Sequence, residues 1–266
     1  MIIDGHAHVT ESDYGSAELL LQRYSESGID KGILVPGGML DVRQMTKYIN
    51  GKEQPKGDMI PNNLVKNAIE KYPDKFFGFY CVNPHKGNEI LEDLSQAVEN
   101  GFVGLKLAPM VHQFSLSSKM VYELADLCGN LNIPFYTHVV FSPAASTKKM
   151  FQLAKEFPKT TFILGHMGFG PSDMDAIAYA KQLANLYLES SQGSYVSLKE
   201  ALNVLGSKKL IFGSEFPMYH PKASLESIFT LNCTSGQLED ILCNNILQLI
   251  NRKAVNEGGN NYERKY

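Results

Sequence analysis

Eight short apolar runs punctuate the 266-residue chain, at residues 1–5, 31–35, 76–82, 102–107, 133–137, 160–164, 186–189 and 209–212. Each leads into turn residues and then into a stretch of helical periodicity. Within the runs the apolar residues are continuous rather than alternating, the pattern of strands covered on both faces in a parallel sheet. Strand–helix alternation of this kind predicts an α/β fold. Eight units favour a closed (β/α)8 TIM barrel over an open doubly wound sheet. No Gly-x-Gly-x-x-Gly follows the first run, which argues against a dinucleotide-binding arrangement.

Helices are expected at 16–28, 62–72, 89–100, 118–131, 144–157, 173–183 and 195–205. A short one is expected at 225–231 and a closing amphipathic one at 236–250. Gly28, Gly101 and Gly206 stop three of them, and Pro73 follows a fourth. From 39 to 60 periodicity fades and Gly, Lys, Asn and Pro accumulate, with one helical turn expected at 42–48. A loop of that length in a compact domain is usually functional or disordered. The reading is a single barrel domain over 1–252 and a polar, Gly/Asn-rich tail at 253–266.

The composition limits the partners. With 44% hydrophobic and 20% charged residues the chain is of ordinary globular type. A net charge of −3 and the lack of any polybasic run argue against nucleic acid or an anionic membrane as main partner. No stretch approaches the ~20 apolar residues of a membrane span. The N-terminus lacks the basic and long apolar regions of a signal peptide. Cys81, Cys128, Cys233 and Cys243 are far apart in apolar segments, with no Cys-x-x-Cys. They read as reduced thiols of a cytoplasmic protein. The expected partner is a small-molecule substrate, and a homodimer is the ordinary prior for a soluble enzyme.

Chemistry-bearing residues fall at the strand ends. His6-Ala7-His8 closes the first run. In a strand, residues i and i+2 share a face about 6.6 Å apart, close enough for two imidazoles to hold one metal ion. His138 ends the fifth run, His166 follows the sixth and Glu215 follows the eighth. Lys106, within Leu-Lys-Leu of the fourth, is a charge in an apolar strand and needs a partner or a task. In a barrel these ends meet at one mouth, where catalytic groups gather. Taken singly each has a plainer explanation: His138 as a hydrogen-bonded core residue, His166 and Glu215 as turn or helix caps. His85, His112 and His220 lie in loops and read as ordinary histidines.

Asp4-Gly5-His6-Ala7-His8, His138, Leu164-Gly165-His166-Met167-Gly168 and Phe212-Gly213-Ser214-Glu215-Phe216-Pro217 together resemble the amidohydrolase superfamily, and more closely its amidohydrolase-2 branch of hydrolases and decarboxylases. The resemblance runs from residue 1 to about residue 250. It implies one divalent metal, Zn²⁺ in the first instance, held by His6, His8, His138 and Glu215. It further implies that metal-activated water attacks a small-molecule amide, ester or lactone carbonyl. Glu215 would carry the proton, His166 would orient water or polarise the carbonyl, and Lys106 would bind substrate. A two-metal variant would place His138 and His166 on the second ion, bridged by a carboxylated Lys106.

Two positions depart from the branch. Its strand-8 acid is normally Asp, where this chain has Glu215, and relatives with Gly-Ile-Lys-Leu-His-Pro after strand 4 have His where this chain has Ala108. Three alternatives stay open: non-oxidative decarboxylation of an aromatic or enoic acid, metal-independent lactonase activity, and a barrel that binds a ligand without catalysis. A mouth short of arginines, with Arg43 in the long loop, favours hydrolysis over decarboxylation.

Overall fold

The computed structural model describes residues 1–55 and 59–250, so the expected tail at 253–266 lies outside the described residues. Eight strands form one parallel sheet in sequence order: β1 Ile3–Val9, β2 Lys31–Pro36, β3 Phe76–Cys81, β4 Gly104–Leu107, β5 Phe135–Thr137, β6 Phe162–Leu164, β7 Leu186–Glu189 and β8 Leu210–Ile211. The end of β8 returns to β1. Gly5 N donates to Phe212 O at 2.8 Å, Glu215 N to His6 O at 2.9 Å and His8 N to Phe216 O at 2.7 Å. The molecule is a single (β/α)8 barrel. Closure depends on Gly5, because a Cβ there would stand 2.7 Å from Ile211 Cγ2 and 2.8 Å from Phe212 O.

The continuous apolar runs follow from burial on both faces. In β2, Leu34 packs outward against the helices while Ile33 and Val35 point into the barrel. The same alternation sends Phe162 and Leu164 outward and Ile163 inward, and Leu210 and Phe212 outward and Ile211 inward. Inside the barrel, Ile3, Ile33, Phe79, Ile163 and Ile211 form an apolar floor that packs against Cys243, Ile246 and Leu249 of the closing helix. The lower barrel is therefore a dry plug, and polar inward side chains are confined to the layer above it.

Helix boundaries follow local chemistry. The first helix, Ala17–Ser27, starts on Ser16, whose side chain accepts from Leu19 N, and ends at Gly28 with φ +72°. Ser146 and Asp173 cap Thr147–Glu156 and Met174–Gln182 in the same way. Three features depart from the sequence-based expectation. His6 and His8 lie within β1 rather than past its end. The closing helix is not continuous: helical turns Ser235–Glu239 and Asn245–Ile250 flank a π-helical turn, Asp240–Asn244. There Asn245 Nδ2 donates to Ser207 O at 2.8 Å and Leu210 O at 2.7 Å, tying that helix to β8. A short helix at Pro109–His112, where only a loop was expected, follows β4. Among the described residues no helix is long and apolar enough to cross a membrane, and the four cysteines form no disulfide.

Candidate metal centre

Lys106 shows how the barrel builds its site. Leu105 and Leu107 face outward and Lys106 faces inward, with only 2% of its surface exposed. Its Nζ lies 3.2 Å from His6 Nε2 and 4.2 Å from the centroid of the Tyr136 ring. Burial pushes its ammonium down to about 8, against the pull of the Glu215 carboxylate. The same geometry explains Glu189, the inward residue at the end of Leu186–Glu189.

Three predicted ligands converge. His6, His8 and Glu215 each place one ligand atom so that all lie within 4.8 Å of one another. Glu215 Oε2 is 2.8 Å from His6 Nδ1, at ion-pair distance but without the alignment of a hydrogen bond, and Oε1 is 3.6 Å from His8 Nε2. His8 Nδ1 donates to Pro36 O at 3.3 Å, which leaves Nε2 as the free lone pair. Burial pushes the His8 imidazolium down to about 3, so the ring is neutral, the form that binds metal. Burial alone would raise the Glu215 carboxyl, but His6 and His166 hold it well below the usual carboxylate range. Ligand atoms bound about 2.0–2.2 Å from one ion stand roughly 3–4 Å apart, so these three residues fit a divalent metal.

His138 faces the same cavity from the end of β5, its ring 5.5 Å from His166. It does not share the close triad of His6, His8 and Glu215. Its Nδ1 is nevertheless buried without a hydrogen-bond partner, and burial holds the ring neutral. That atom is a donor without a task, and a metal would supply one.

His166 belongs to a different network. Ser191 Oγ donates to Glu189 Oε2 at 2.8 Å and accepts from His166 Nδ1 at 2.8 Å, so the other ring nitrogen is left free. Glu189 Oε2 also accepts from Tyr136 Oη at 2.8 Å and His166 N at 3.2 Å. Tyr136 Oη in turn lies 2.7 Å from His6 Nδ1. His6, His166 and Glu189 do come within 4.8 Å of one another. In this cluster Glu189 is already hydrogen-bonded by Tyr136, Ser191 and the His166 amide, which hold its carboxylate in place. Burial would raise the Glu189 carboxyl, but the His6 contact and Ser191 bring it down to about 2.

Two backbone features set the acids. Glu215 has φ +59° and His166 φ +61°, left-handed values that cost a non-glycine residue about 1–2 kcal/mol. The Glu215 amide is held there by His6 O, and the longer side chain reaches both β1 histidines from this offset backbone. Gly213 leaves room for Glu189, since a Cβ there would fall 2.1 Å from Glu189 Oε1. Gly213→Ala is accordingly expected to lower the melting temperature by roughly 4–8 °C in a thermal-unfolding experiment. An unchanged melting temperature would show that Glu189 can give way freely.

Asp4 and Glu189 were not assigned a task by sequence reasoning. Asp4 Oδ1 accepts from Ser214 N at 2.8 Å and His6 N at 3.1 Å. Its Oδ2 accepts from Tyr24 Oη at 2.9 Å and from the Ser214 hydroxyl. Burial pushes the Asp4 carboxyl up to about 6 against these four donors. For Glu189 the signal was present in the sequence: an acid at an inward position of an apolar run, the same signal that marked Lys106. The remaining histidines stand apart from the cavity. His85 Nε2 donates to His112 O at 2.9 Å, and His220 caps the helix Pro221–Phe229.

A closed βα barrel with imidazoles and carboxylates gathered at the C-terminal mouth of its strands is the arrangement of a barrel enzyme with a candidate metal site. The profile of the amidohydrolase family (Amidohydro_2) matches residues 3–252, and the chain belongs to that family. Solved structures of similar fold include a probable 2-pyrone-4,6-dicarboxylic acid hydrolase from Acinetobacter baumannii with bound citric acid, 18% identical over 94% of this chain and 99% of that one, TM-score 0.69. A dihydroxybenzoic acid decarboxylase from Polaromonas, with manganese and 2-nitroresorcinol, is 16% identical over 95% and 97% of the two chains, TM-score 0.67. A 5-carboxyvanillate decarboxylase from Novosphingobium aromaticivorans, also with manganese, is 14% identical over 94% and 97%, TM-score 0.72. No curated protein matches the chain.

Proposed function

We propose that the protein is a metal-dependent hydrolase acting on an uncharged carbonyl of a small molecule. The observation that carries this is the convergence of His6, His8 and Glu215, the last two of which line a cavity of about 470 Å³. His138 completes the ligand set from β5. Nitrogen and carboxylate donors suit Zn²⁺, although other first-row divalent ions accept the same donors. When bound, the ion supplies Lewis-acid charge and lowers the pKa of water toward ~7.

The chain's own residues do the rest. Glu215, held ionised, takes a proton from the attacking water and returns it to the leaving group. His166, fixed through Nδ1 by Ser191 and Glu189, presents its unprotonated nitrogen to the attacking water, accepting from it and orienting it. Lys106, at the cavity floor, donates from Nζ to the substrate.

Decarboxylation of an aromatic acid is the second reading, and the Lys106 cation is the observation in its favour. Against it, no guanidinium lines the cavity among the described residues. Arg43, the arginine of the long loop, is spent on Asp41, with bonds of 2.9 and 2.8 Å, and stacks 4.7 Å from the Tyr14 ring.

Treatment with a strong chelator is expected to reduce hydrolysis of a panel of esters, lactones and amides by about 100-fold or more, with recovery on adding Zn²⁺ or Mn²⁺. Full activity in demonstrably metal-free protein would sink the metal-dependent reading and favour a metal-independent lactonase. Carbon dioxide release from aromatic acids, with no hydrolysis, would favour the decarboxylase.

A further inference from the structure

The cavity above the metal ligands divides sharply by chemistry. Its imidazoles, amine and carboxylate all belong to the catalytic layer: His8, Lys106, His138, His166 and Glu215. The rest of the lining is mostly apolar, with Thr10 and Gln192 among its few polar side chains. Met39, Met45, Met110 and Met218 contribute thioether side chains from three different mouth-side segments. Unbranched, polarisable methionines adapt to flexible apolar ligands better than branched side chains do.

The apolar surface continues outward to the rim. Ile49, Phe169 and Tyr219 line the cavity yet are 65%, 46% and 44% exposed. Phe141, 90% exposed, sets its ring 5.8 Å from Phe169. Single exposed apolar residues are ordinary, but several gathered on the rim of one cavity mark a binding surface.

We propose that this site takes neutral carbonyl compounds with an extended, unbranched apolar tail, such as medium-chain acyl esters. The carbonyl lies at the catalytic layer, and the tail runs along the methionine wall to Ile49 and Phe169. A chain on the order of eight carbons suits a cavity of this size. In the reaction, the water oxygen bonds to the acyl carbon and the acyl C–O bond breaks. The departing alkoxide takes the proton, leaving a carboxylic acid and an alcohol. The choice of an ester head rests on the hydrolytic reading. The tail site rests on the cavity walls alone.

The test separates the two. Calorimetric titration of the purified full-length protein with 2-alkanones of four to eleven carbons reports tail binding without any reaction. The dissociation constant is expected to fall roughly threefold per added methylene before levelling off. Met45→Asp and Ile49→Asp, both on the long mouth-side loop, are expected to weaken binding of 2-undecanone at least tenfold and to flatten the series. An affinity independent of chain length overturns the proposal. So does tighter binding of n-alkanoates or benzoate than of ketones of equal size. In parallel, p-nitrophenyl esters from acetate to decanoate are expected to show kcat/KM rising with chain length. Hydrolysis with a flat chain-length profile overturns the tail site and leaves the hydrolase reading intact. A sloping ketone series with no ester, lactone or amide hydrolysed supports the tail site and sinks the hydrolase reading.

Discussion

His8→Ala is expected to purify with less than about a tenth of the divalent metal held by the unaltered protein and to lose activity by on the order of 10³-fold. The variant is chosen because its consequences are local. The His8 side chain is 24% exposed and, among the described residues, its one hydrogen bond is to Pro36 O. Removing it deletes the lone pair that faces Glu215 Oε1 without opening a buried network. His6 is a poorer test, since it is fully buried between Lys106, Tyr136 and Glu215, and its loss would disturb all three. Metal analysis of the purified variant, together with turnover of the best ester found, gives the measurement. A variant that keeps a full equivalent of metal and its activity would remove His8 from the cage and overturn the proposed ligand set.

Asp4→Ala is expected to have the largest effect on stability. The carboxylate receives four donors, two from backbone N–H groups of His6 and Ser214 and two from the hydroxyls of Tyr24 and Ser214. It thereby ties β1 to the loop beyond β8, where the barrel closes, and to the first helix. Leaving a buried donor unmatched costs about 1–3 kcal/mol, and the two backbone donors have no freedom to turn elsewhere. A loss of about 4 kcal/mol, or a melting temperature lower by roughly 8–16 °C, is expected by thermal or denaturant unfolding. Metal affinity is expected to fall as well, because Ser214 adjoins Glu215 and His6 N is one of the donors. A shift under 2 °C would show that the closure is held by the strand hydrogen bonds alone.

The fold was legible to a high degree because its signals are local. Each apolar run of four to seven residues announces a strand buried on both sides, and capping residues such as Ser16 and Gly28 mark where a helix begins and ends. The site was legible in part. His6, His8 and Glu215 were identified by residue type at strand ends, and the structure brings those three together. His138 reaches the same cavity but not the close triad, a difference that only the placement of β5 decides. Asp4 escaped notice because an acid at a chain start is ordinary, and its four donors come from residues up to 210 positions away. The π-helical turn at Asp240–Asn244 was invisible because its cause is tertiary: Asn245 bonds Ser207 O and Leu210 O, and Phe212 N bonds Ile241 O at 3.0 Å.

By itself the sequence determined the eight-unit α/β architecture, the family, and the residue types gathered at the barrel mouth. Hydrophobic periodicity and turn chemistry act over a few residues and can be read along the chain. Only the tertiary structure decided which donors share a centre and which support it. It placed Lys106 against His6, gave Glu189 to Tyr136, Ser191 and His166, and set Glu215 on a left-handed backbone whose offset its longer side chain spans. It also decided the character of the cavity, whose methionine walls come from separate loops. The physical reason is common to all of these. Coordination, ion pairing and cavity shape depend on distances of a few ångströms between segments far apart in sequence, and barrel closure sets those distances.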